Sequence, residues 1–123
     1  RRKGWGWSDR CFKHYKADRL AYAIAACNEG IKVAKRFTKG DVDLDDKASK
    51  AMSALHYNLG GIYKKRDVKS RAIKHYKKAA WWRYGDNSAA DKKLKALGWS
   101  DEECTEAVGR DRPCGNHPQC CYE

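Results

Sequence analysis

Cysteine and histidine are the residues of this sequence best suited to chemistry, and several lie close together near the carboxyl end. Cys114, His117 and Cys120 are separated by two residues each, and Cys104 or Cys121 would supply a fourth ligand. Thiolate and imidazole groups bind Zn²⁺, although the spacing lacks the paired short knuckles typical of zinc sites. The simpler prediction is two disulfides among the four cysteines, with Cys120 and Cys121 taking different partners because a bridge between neighbours is strained. We accordingly predict no metal and no cofactor.

The four histidines form no catalytic pattern. His14, His56, His75 and His117 are scattered, with no nucleophile motif, glycine-rich phosphate loop or pair of ligands on one helix face. His75 follows Lys74 and is predicted to be a polar surface residue, whereas His14 and His56 are predicted either to pack or to contact a ligand. The carboxylates cluster in loop-like runs and not in a cleft that would separate their pKa values. The sequence therefore predicts no enzyme activity.

One acidic run lies in the single evident long loop of the sequence. Its pattern, Asp41-x-Asp43-x-Asp45-Asp46, is similar to the start of a calcium-binding loop. The central glycine and the closing glutamate of that motif are missing. We interpret the run as a solvated loop.

Charge is the strongest signal in the composition. The chain has 27 lysines and arginines against 16 acidic residues, a net charge of +11. Between Ile62 and Tyr84, nine basic residues accompany a single acidic one, Asp67, which gives a local charge of +8 within 23 residues. Such a stripe attracts anionic partners, among them acidic proteins, anionic lipids, cell-wall polymers and nucleic acid. A solvated helix face is the alternative, because charge alone does not choose a partner.

Length and cysteine content narrow the class of protein. A chain of 123 residues accommodates one domain with a modest core. Its longest weakly polar run, Leu20 to Cys27, is far shorter than the roughly 20 residues of a membrane span. An even number of cysteines in so small a chain is typical of oxidising compartments. We expect a periplasmic or secreted protein without a transmembrane segment.

The elements that position these residues are predicted to be helices. Proline is absent before position 113, and alanine, lysine, leucine and arginine dominate up to Leu97. The first helix is predicted to be capped by Ser8 and Asp9, and the second to open at Asp18. The third is predicted to follow Asp46 and to cover Lys47 to Lys64, and the fourth to follow Asp67 and to run to about Tyr84. The fifth is predicted to cover Ser88 to Leu97 and to end before Gly98. Residues 1–98 are predicted to form the helical domain, and residues 99–123 a cysteine-rich tail packed on it or linked to it.

The fourth helix is predicted to be amphipathic. Its apolar face comprises Ala72, Ile73, Tyr76, Ala79 and Ala80, and its basic face comprises Arg71, Lys74, Lys77 and Lys78. Trp81 and Trp82 fall outside the apolar face. We expect them to pack under the fifth helix, since bulky aromatic side chains usually cover core, and the alternative is exposure among the lysines.

The segment from Tyr57 to Ala79 carries small and aromatic residues at the spacing of a helical hairpin. Gly60, Ala72 and Ala79 are small enough for two antiparallel helices to approach closely. The segment resembles a tetratricopeptide repeat in Tyr57-Asn58-Leu59-Gly60, Tyr63, Asp67, Ala72-Ile73, Tyr76 and Ala79, and it is also similar to Sel1-like repeats in Tyr76-Lys77-Lys78-Ala79-Ala80.

A second, degenerate copy lies 49 residues upstream. In it, Cys11 corresponds to Gly60, and Ala23, Cys27, Gly30 and Ile31 correspond to Ala72, Tyr76, Ala79 and Ala80. The chain resembles exported bacterial members of the family, which implies an all-α fold of about two antiparallel hairpins plus a capping helix, followed by a disulfide-rich tail. The correspondence places Cys11 and Cys27 at facing positions of the first hairpin, and we expect a disulfide there worth about 3 kcal/mol.

The resemblance implies a non-catalytic protein–protein interaction module. Its basic surface is predicted to bind an acidic or extended segment of a partner through Tyr57, Asn58, Tyr63, Lys64, Lys74, Lys77, Lys78, Trp81 and Trp82. The alternative is a cationic secreted effector, lytic or antimicrobial, that acts on anionic membranes or cell-wall polymers. Nucleic acid ranks third, because a disulfide-rich context makes it a less natural partner.

Overall fold

The computed structural model describes residues 2–82 and 88–99, and the predicted all-α class is confirmed for them, since they contain no strand. The elements are a short 3-10 helix at Arg2–Gly4, α1 at Trp5–Lys16, α2 at Leu20–Thr38, α3 at Asp46–Lys65, α4 at Lys69–Trp82 and α5 at Ser88–Ala96. The predicted tail bridges among Cys104, Cys114, Cys120 and Cys121 lie outside the described residues, and so does the predicted end of the fourth helix at Tyr84. None of the helices in the described ranges has the length and apolar character needed to cross a membrane.

Helix α3 is the central element of the fold. It packs against α2 and α4 on its flanks and also contacts α1, while α5 packs against α4. Residues 17–19 join α1 to α2, and residues 66–68 join α3 to α4, so each pair folds back on itself through a three-residue turn. The core follows from this arrangement, because Leu55, Leu59 and Ile62 of α3 are fully buried among residues of α1 and α2.

The two turns have the same backbone structure. Asp18 and Asp67 occupy the left-handed region with φ of 63° and 62°, a conformation that aspartate tolerates better than most side chains. After α1, the N–H groups of Asp18 and Arg19 donate to Tyr15 and His14 carbonyls at 3.0 and 2.9 Å. These bonds satisfy the last carbonyls of the helix in a Schellman motif.

After α3, Asp67 and Val68 make the corresponding bonds to Lys64 and Tyr63, also at 3.0 and 2.9 Å. Every participant lies 49 residues beyond its counterpart, so the internal repeat of the sequence is matched in the backbone. The two aspartates therefore end α1 and α3, and their predicted role as openers of α2 and α4 is corrected. Helix α5 ends in the same motif at Gly98, as predicted, with a φ of 86°.

Each helix pair makes a tight contact at the position predicted from the repeat. Cys11 and Cys27 form a disulfide with their Cα atoms 5.2 Å apart. At the corresponding position of the second pair, a Cβ atom on Gly60 would lie 2.7 Å from the ring of Tyr76. Glycine is needed there because the fully packed ring leaves no room for a methyl group. A covalent bridge in one pair thus occupies the place of a glycine–aromatic contact in the other.

Two predicted helix starts differ from the structure. Helix α1 begins at Trp5, after Gly4 adopts a φ of 106°, so Ser8 lies within the helix and is buried and does not cap it. Helix α3 is capped by Asp45, whose Oδ1 accepts a hydrogen bond from the Ala48 N–H at 3.0 Å. Lys3 also contacts Asp45 at 2.6 Å, and both interactions hold the pKa of this carboxyl below its usual value. The acidic loop therefore serves to start α3.

The predicted apolar face of α4 is confirmed. Ala72, Tyr76, Ala79 and Ala80 are buried, and Ile73 is half-buried against the same core. Helix α5 covers this face through Ala90 and Leu94, both fully buried.

Candidate functional site

A cavity of about 190 Å³ lies where α2, α3 and α4 meet. Its lining combines apolar and basic side chains, and among the described residues no carboxylate takes part. The lining residues are Ile31 and Lys35 from α2, Gly40 from the loop that follows, Met52 and His56 from α3, and Lys78, Trp81 and Trp82 from α4.

Helical periodicity places these side chains on the side of each helix that faces the cavity. Residues four apart on a helix lie one above the other on the same face. Ile31 with Lys35, and Met52 with His56, each have this spacing, and Lys78 and Trp82 repeat it on α4. Each of the three helices thus contributes an apolar residue to the cavity, together with a lysine from α2 and α4 and a histidine from α3.

The two adjacent tryptophans form one wall of the cavity. Trp82 is only 8% exposed and packs against Ala34 of α2 and Met52 of α3. Trp81 is half-buried and meets the Trp82 ring edge-on, with centroids 4.9 Å apart. The expectation of packing was therefore correct for Trp82, but the expected location under α5 was wrong, because both rings pack toward α2 and α3.

His56 lines the cavity, and its ring is stacked on that of His75. His56 is 5% exposed, and its Nδ1 lies 3.0 Å from Nδ1 of His75. One of these nitrogens must donate and the other accept, so the two rings require different tautomers. The Tyr63 ring stacks on the other side of His75 at 5.4 Å, and Arg71 lies over Tyr63 at 5.5 Å. His75 is half-buried in this stack, so its predicted place on the surface is wrong.

Burial keeps both histidines neutral. Desolvation lowers the pKa of His56 well below 6.5, and the charges of His75, Lys78, Lys35 and Lys74 lower it further. Desolvation also lowers the pKa of His75 to about 4, with added effects of Lys78 and Lys74. The imidazoles therefore carry no charge at neutral pH, and the positive charge at the cavity comes from the lysines.

The lysines around His56 form a positive cluster, which we call the lysine cluster and which comprises Lys35, Lys74 and Lys78. Lys35 and Lys74 are exposed, and Lys78 is half-buried. Burial lowers the pKa of Lys78, and the neighbouring charges of Lys74 and Lys35 lower it further. Within the described ranges, none of the three forms an ion pair, in contrast to Lys3, Lys32, Lys50 and Lys65. No acidic side chain of the described residues therefore neutralises the cluster.

The other predicted site residues lie elsewhere. Tyr57 packs edge-on against Tyr76 at 5.5 Å, and the Asn58 side chain donates to Oγ and the carbonyl of Ser8 at 3.4 Å. Both therefore hold helices together. Lys64 is exposed near the end of α3, and Lys77 lies 5.2 Å from the ring of Trp99. From the predicted set, the structure brings Lys74, Lys78, Trp81 and Trp82 to the cavity and stacks Tyr63 on His75 beside it, whereas Tyr57, Asn58, Lys64 and Lys77 make the contacts given above.

Lys35, Ile31 and Met52 are site residues that the sequence did not indicate. Lys35 and Ile31 sit on α2 and Met52 on α3, and only tertiary packing brings them to α4. The four-residue spacings on α2 and α3 indicate that these residues share a helix face, but they do not indicate which face packs against α4. Among the described residues, no group of three or more histidine, cysteine or acidic side chains is arranged to hold a metal ion.

Comparison with known proteins gives no match: no family model, no curated protein and no solved structure aligns significantly with the chain. Its function is therefore inferred from the cavity and from the charge around it.

Proposed function

We propose that this chain is a non-catalytic interaction module, built from two helical hairpins of tetratricopeptide-like or Sel1-like type, that binds an acidic segment of a partner protein. The observation that carries the proposal is the lysine cluster, three cations beside an aromatic cavity without a carboxylate partner among the described residues. Complementary charge raises the rate of association and sets the register of a partner.

The kinship to helical-hairpin repeats rests on the duplicated turns. Two helix pairs 49 residues apart share their left-handed aspartates and their capping bonds, and the disulfide of the first pair corresponds to the tight glycine–tyrosine contact of the second. Repeats of this kind stack neighbouring units into one continuous core, and α3 lies between the two pairs in this way.

We assign the protein to the periplasm or the extracellular space. The buried disulfide between Cys11 and Cys27 supports this assignment, because such bridges persist in oxidising compartments. The tryptophans that a membrane-active protein would insert into lipid are instead engaged in the fold, since Trp82 is buried and Trp7 packs on the core of the first hairpin.

The proposal is tested by binding of a short fluorescein-labelled oligoglutamate peptide, measured by fluorescence anisotropy. The triple variant Lys35→Gln, Lys74→Gln, Lys78→Gln removes the lysine cluster. The control Lys47→Gln, Lys92→Gln, Lys95→Gln removes the same charge from exposed positions elsewhere. Exposed charge contacts contribute roughly 0.5 kcal/mol each, so we expect the cluster variant to bind about tenfold more weakly.

The control variant is expected to lose much less affinity, since only the general field of the protein changes. Equal losses in the two variants would show that net charge alone attracts the peptide. An oligoglutamine peptide of the same length should not bind either protein.

A further inference from the structure

The cavity is more than a patch of positive charge, because apolar side chains line it beside the lysines. Met52 is 1% exposed and Trp82 is 8% exposed, and Ile31 and Trp81 are partly buried around the opening. A partner that used only charge would leave the partly exposed surfaces of Ile31 and Trp81 in contact with water. Apolar surface removed from water contributes favourably to binding, in proportion to its area.

The size of the cavity limits what enters it. Its volume of about 190 Å³ is below the roughly 300–1,000 Å³ typical of sites for drug-sized molecules. A single ring or a short branched chain is the largest apolar body that suits such a space. A folded domain or a helix is far too large, so only a small molecule or one side chain reaches the interior.

The charge of the lining selects among small ligands. Lys35 and Lys78 both line the cavity, and Lys74 adds its charge nearby. A cationic ligand is repelled by these lysines, and a neutral one leaves them without a partner. An inorganic anion pairs with the lysines but does not use the tryptophan and methionine walls. An amphipathic anion uses both.

We propose that the cavity binds a small organic monoanion, an aryl or branched-alkyl carboxylate. Its apolar body lies among Met52, Trp81 and Ile31, and its carboxylate pairs with Lys35 and Lys78. This function goes beyond the binding of an acidic protein segment and does not depend on it, since the ligand needs only the cavity.

The single methionine of the chain allows a direct test. Met52 is the only methionine, so a protein labelled with [methyl-¹³C]methionine gives one methyl NMR signal, and that signal comes from the cavity wall. Phenylacetate is the probe. It is expected to shift the signal saturably, with a dissociation constant at or below about 1 mM, as the ligand efficiency of so small a molecule allows.

Matched ligands separate the two parts of the recognition. Phenylacetamide keeps the ring without the charge, and we expect it to bind at least about tenfold more weakly than phenylacetate. Acetate keeps the charge without the ring, and we expect it to leave the chemical shift of the Met52 methyl group unchanged. Lys78→Gln should weaken phenylacetate binding about tenfold. The control Lys92→Gln, on the exposed face of α5, should leave it unchanged.

The inference is overturned if phenylacetate up to about 10 mM, roughly ten times the expected dissociation constant, fails to shift the signal of the folded protein. It is also overturned if phenylacetamide binds as well as phenylacetate. Binding of oligoglutamate without binding of phenylacetate would remove this inference and leave the proposed function standing. The reverse outcome would support the cavity ligand and remove the acidic segment.

Discussion

The histidine pair under the cavity makes the stability of this protein depend on pH. His56 and His75 are neutral in the folded state, and burial lowers the pKa of His75 to about 4. In the unfolded chain both titrate near the ordinary value of about 6.5. The unfolded state therefore binds more protons below pH 6.5. The stabilisation is complete above that pH and is lost as the pH falls toward 4.

We expect the free energy of unfolding to fall by roughly 2–4 kcal/mol between about pH 6.5 and about pH 4 through His75 alone. Urea denaturation at a series of pH values measures it. The double variant His56→Leu, His75→Phe should have a much flatter profile in this range. His14→Asn, which changes a histidine bonded to Arg19 outside the core, is the control that should keep the wild-type slope. A steep slope in the double variant would contradict the assignment.

The buried hydroxyl of Thr38 gives a second prediction about a single residue. It is fully buried at the end of α2, and its Oγ1 has no hydrogen-bond partner among the described residues. A buried hydroxyl without a partner costs about 1–3 kcal/mol. Thr38→Val replaces the hydroxyl by a methyl group of similar shape, so we expect the melting temperature and the free energy of unfolding to rise.

Thr38→Ser is the matched control, since it keeps the hydroxyl and removes the methyl group. It should destabilise the protein. If the valine variant is the less stable of the two, the hydroxyl has a partner, and the account of this position is wrong.

Individual site residues could be predicted only in part. Lys78, Trp81 and Trp82 lie at helical spacing on a single element, so the sequence places them together. Lys35 and His56 join them through the packing of α2 and α3 against α4, which periodicity on one helix does not determine. His75 was predicted at the surface because its neighbours are lysines, but stacking on His56 and Tyr63 outweighs that local context.

At the scale of elements, the packing of α3 against α4 depends on the absence of a side chain at Gly60, where the Tyr76 ring lies against the backbone. Gly60→Ala places a methyl group 2.7 Å from the Tyr76 ring, which is 1% exposed and has no space to move. Overpacking of this kind destabilises a protein by about 1–3 kcal/mol. We expect a loss of that size in urea denaturation.

The neighbouring glycine is the control. A Cβ atom on Gly61 would lie 3.3 Å from the hydroxyl of Tyr15, a half-buried side chain, so a small shift relieves the contact. Alanine also has the higher helix propensity by about 1 kcal/mol. Gly61→Ala should therefore be close to neutral. Equal destabilisation by both variants would contradict the proposed role of Gly60.

The disulfide is the counterpart of this contact in the first helix pair. Cys11 and Cys27 are both 0% exposed and close a loop with a sequence separation of 16. The double variant Cys11→Ala, Cys27→Ala should lower the free energy of unfolding by about 3 kcal/mol, as expected for a loop of this length. Urea denaturation under non-reducing conditions measures the difference. An unchanged midpoint would show that the bridge adds no stability.

Element boundaries were predicted better than the roles of the residues at them. The turns at Asp18 and Asp67 were located correctly, but both residues complete Schellman motifs of the preceding helices. Aspartate is common both at helix starts and in left-handed turns, so its type alone does not distinguish the two. The start of α1 was missed because no capping side chain marks Gly4.

At the scale of the whole molecule, the net charge is +11, and three of its 27 basic residues, Lys35, Lys74 and Lys78, lie at or beside the aromatic cavity. The all-helical class followed from composition and periodicity. The repeat offset of 49 residues relates the Cys11–Cys27 contact to the Gly60–Tyr76 contact, and the structure extends the correspondence to the two turns. The lysine cluster could not be predicted as a unit, because its members come from two helices that are distant in sequence.

Chemical-shift mapping tests whether the face formed by α2, α3 and α4 binds an acidic segment. A ¹⁵N-labelled protein is titrated with oligoglutamate at a fixed salt concentration. We expect saturable shifts concentrated at Lys35, His56, Lys78 and Trp81, with little change along α1. Shifts spread evenly over all exposed lysines, or concentrated on α1 and α5, would contradict it.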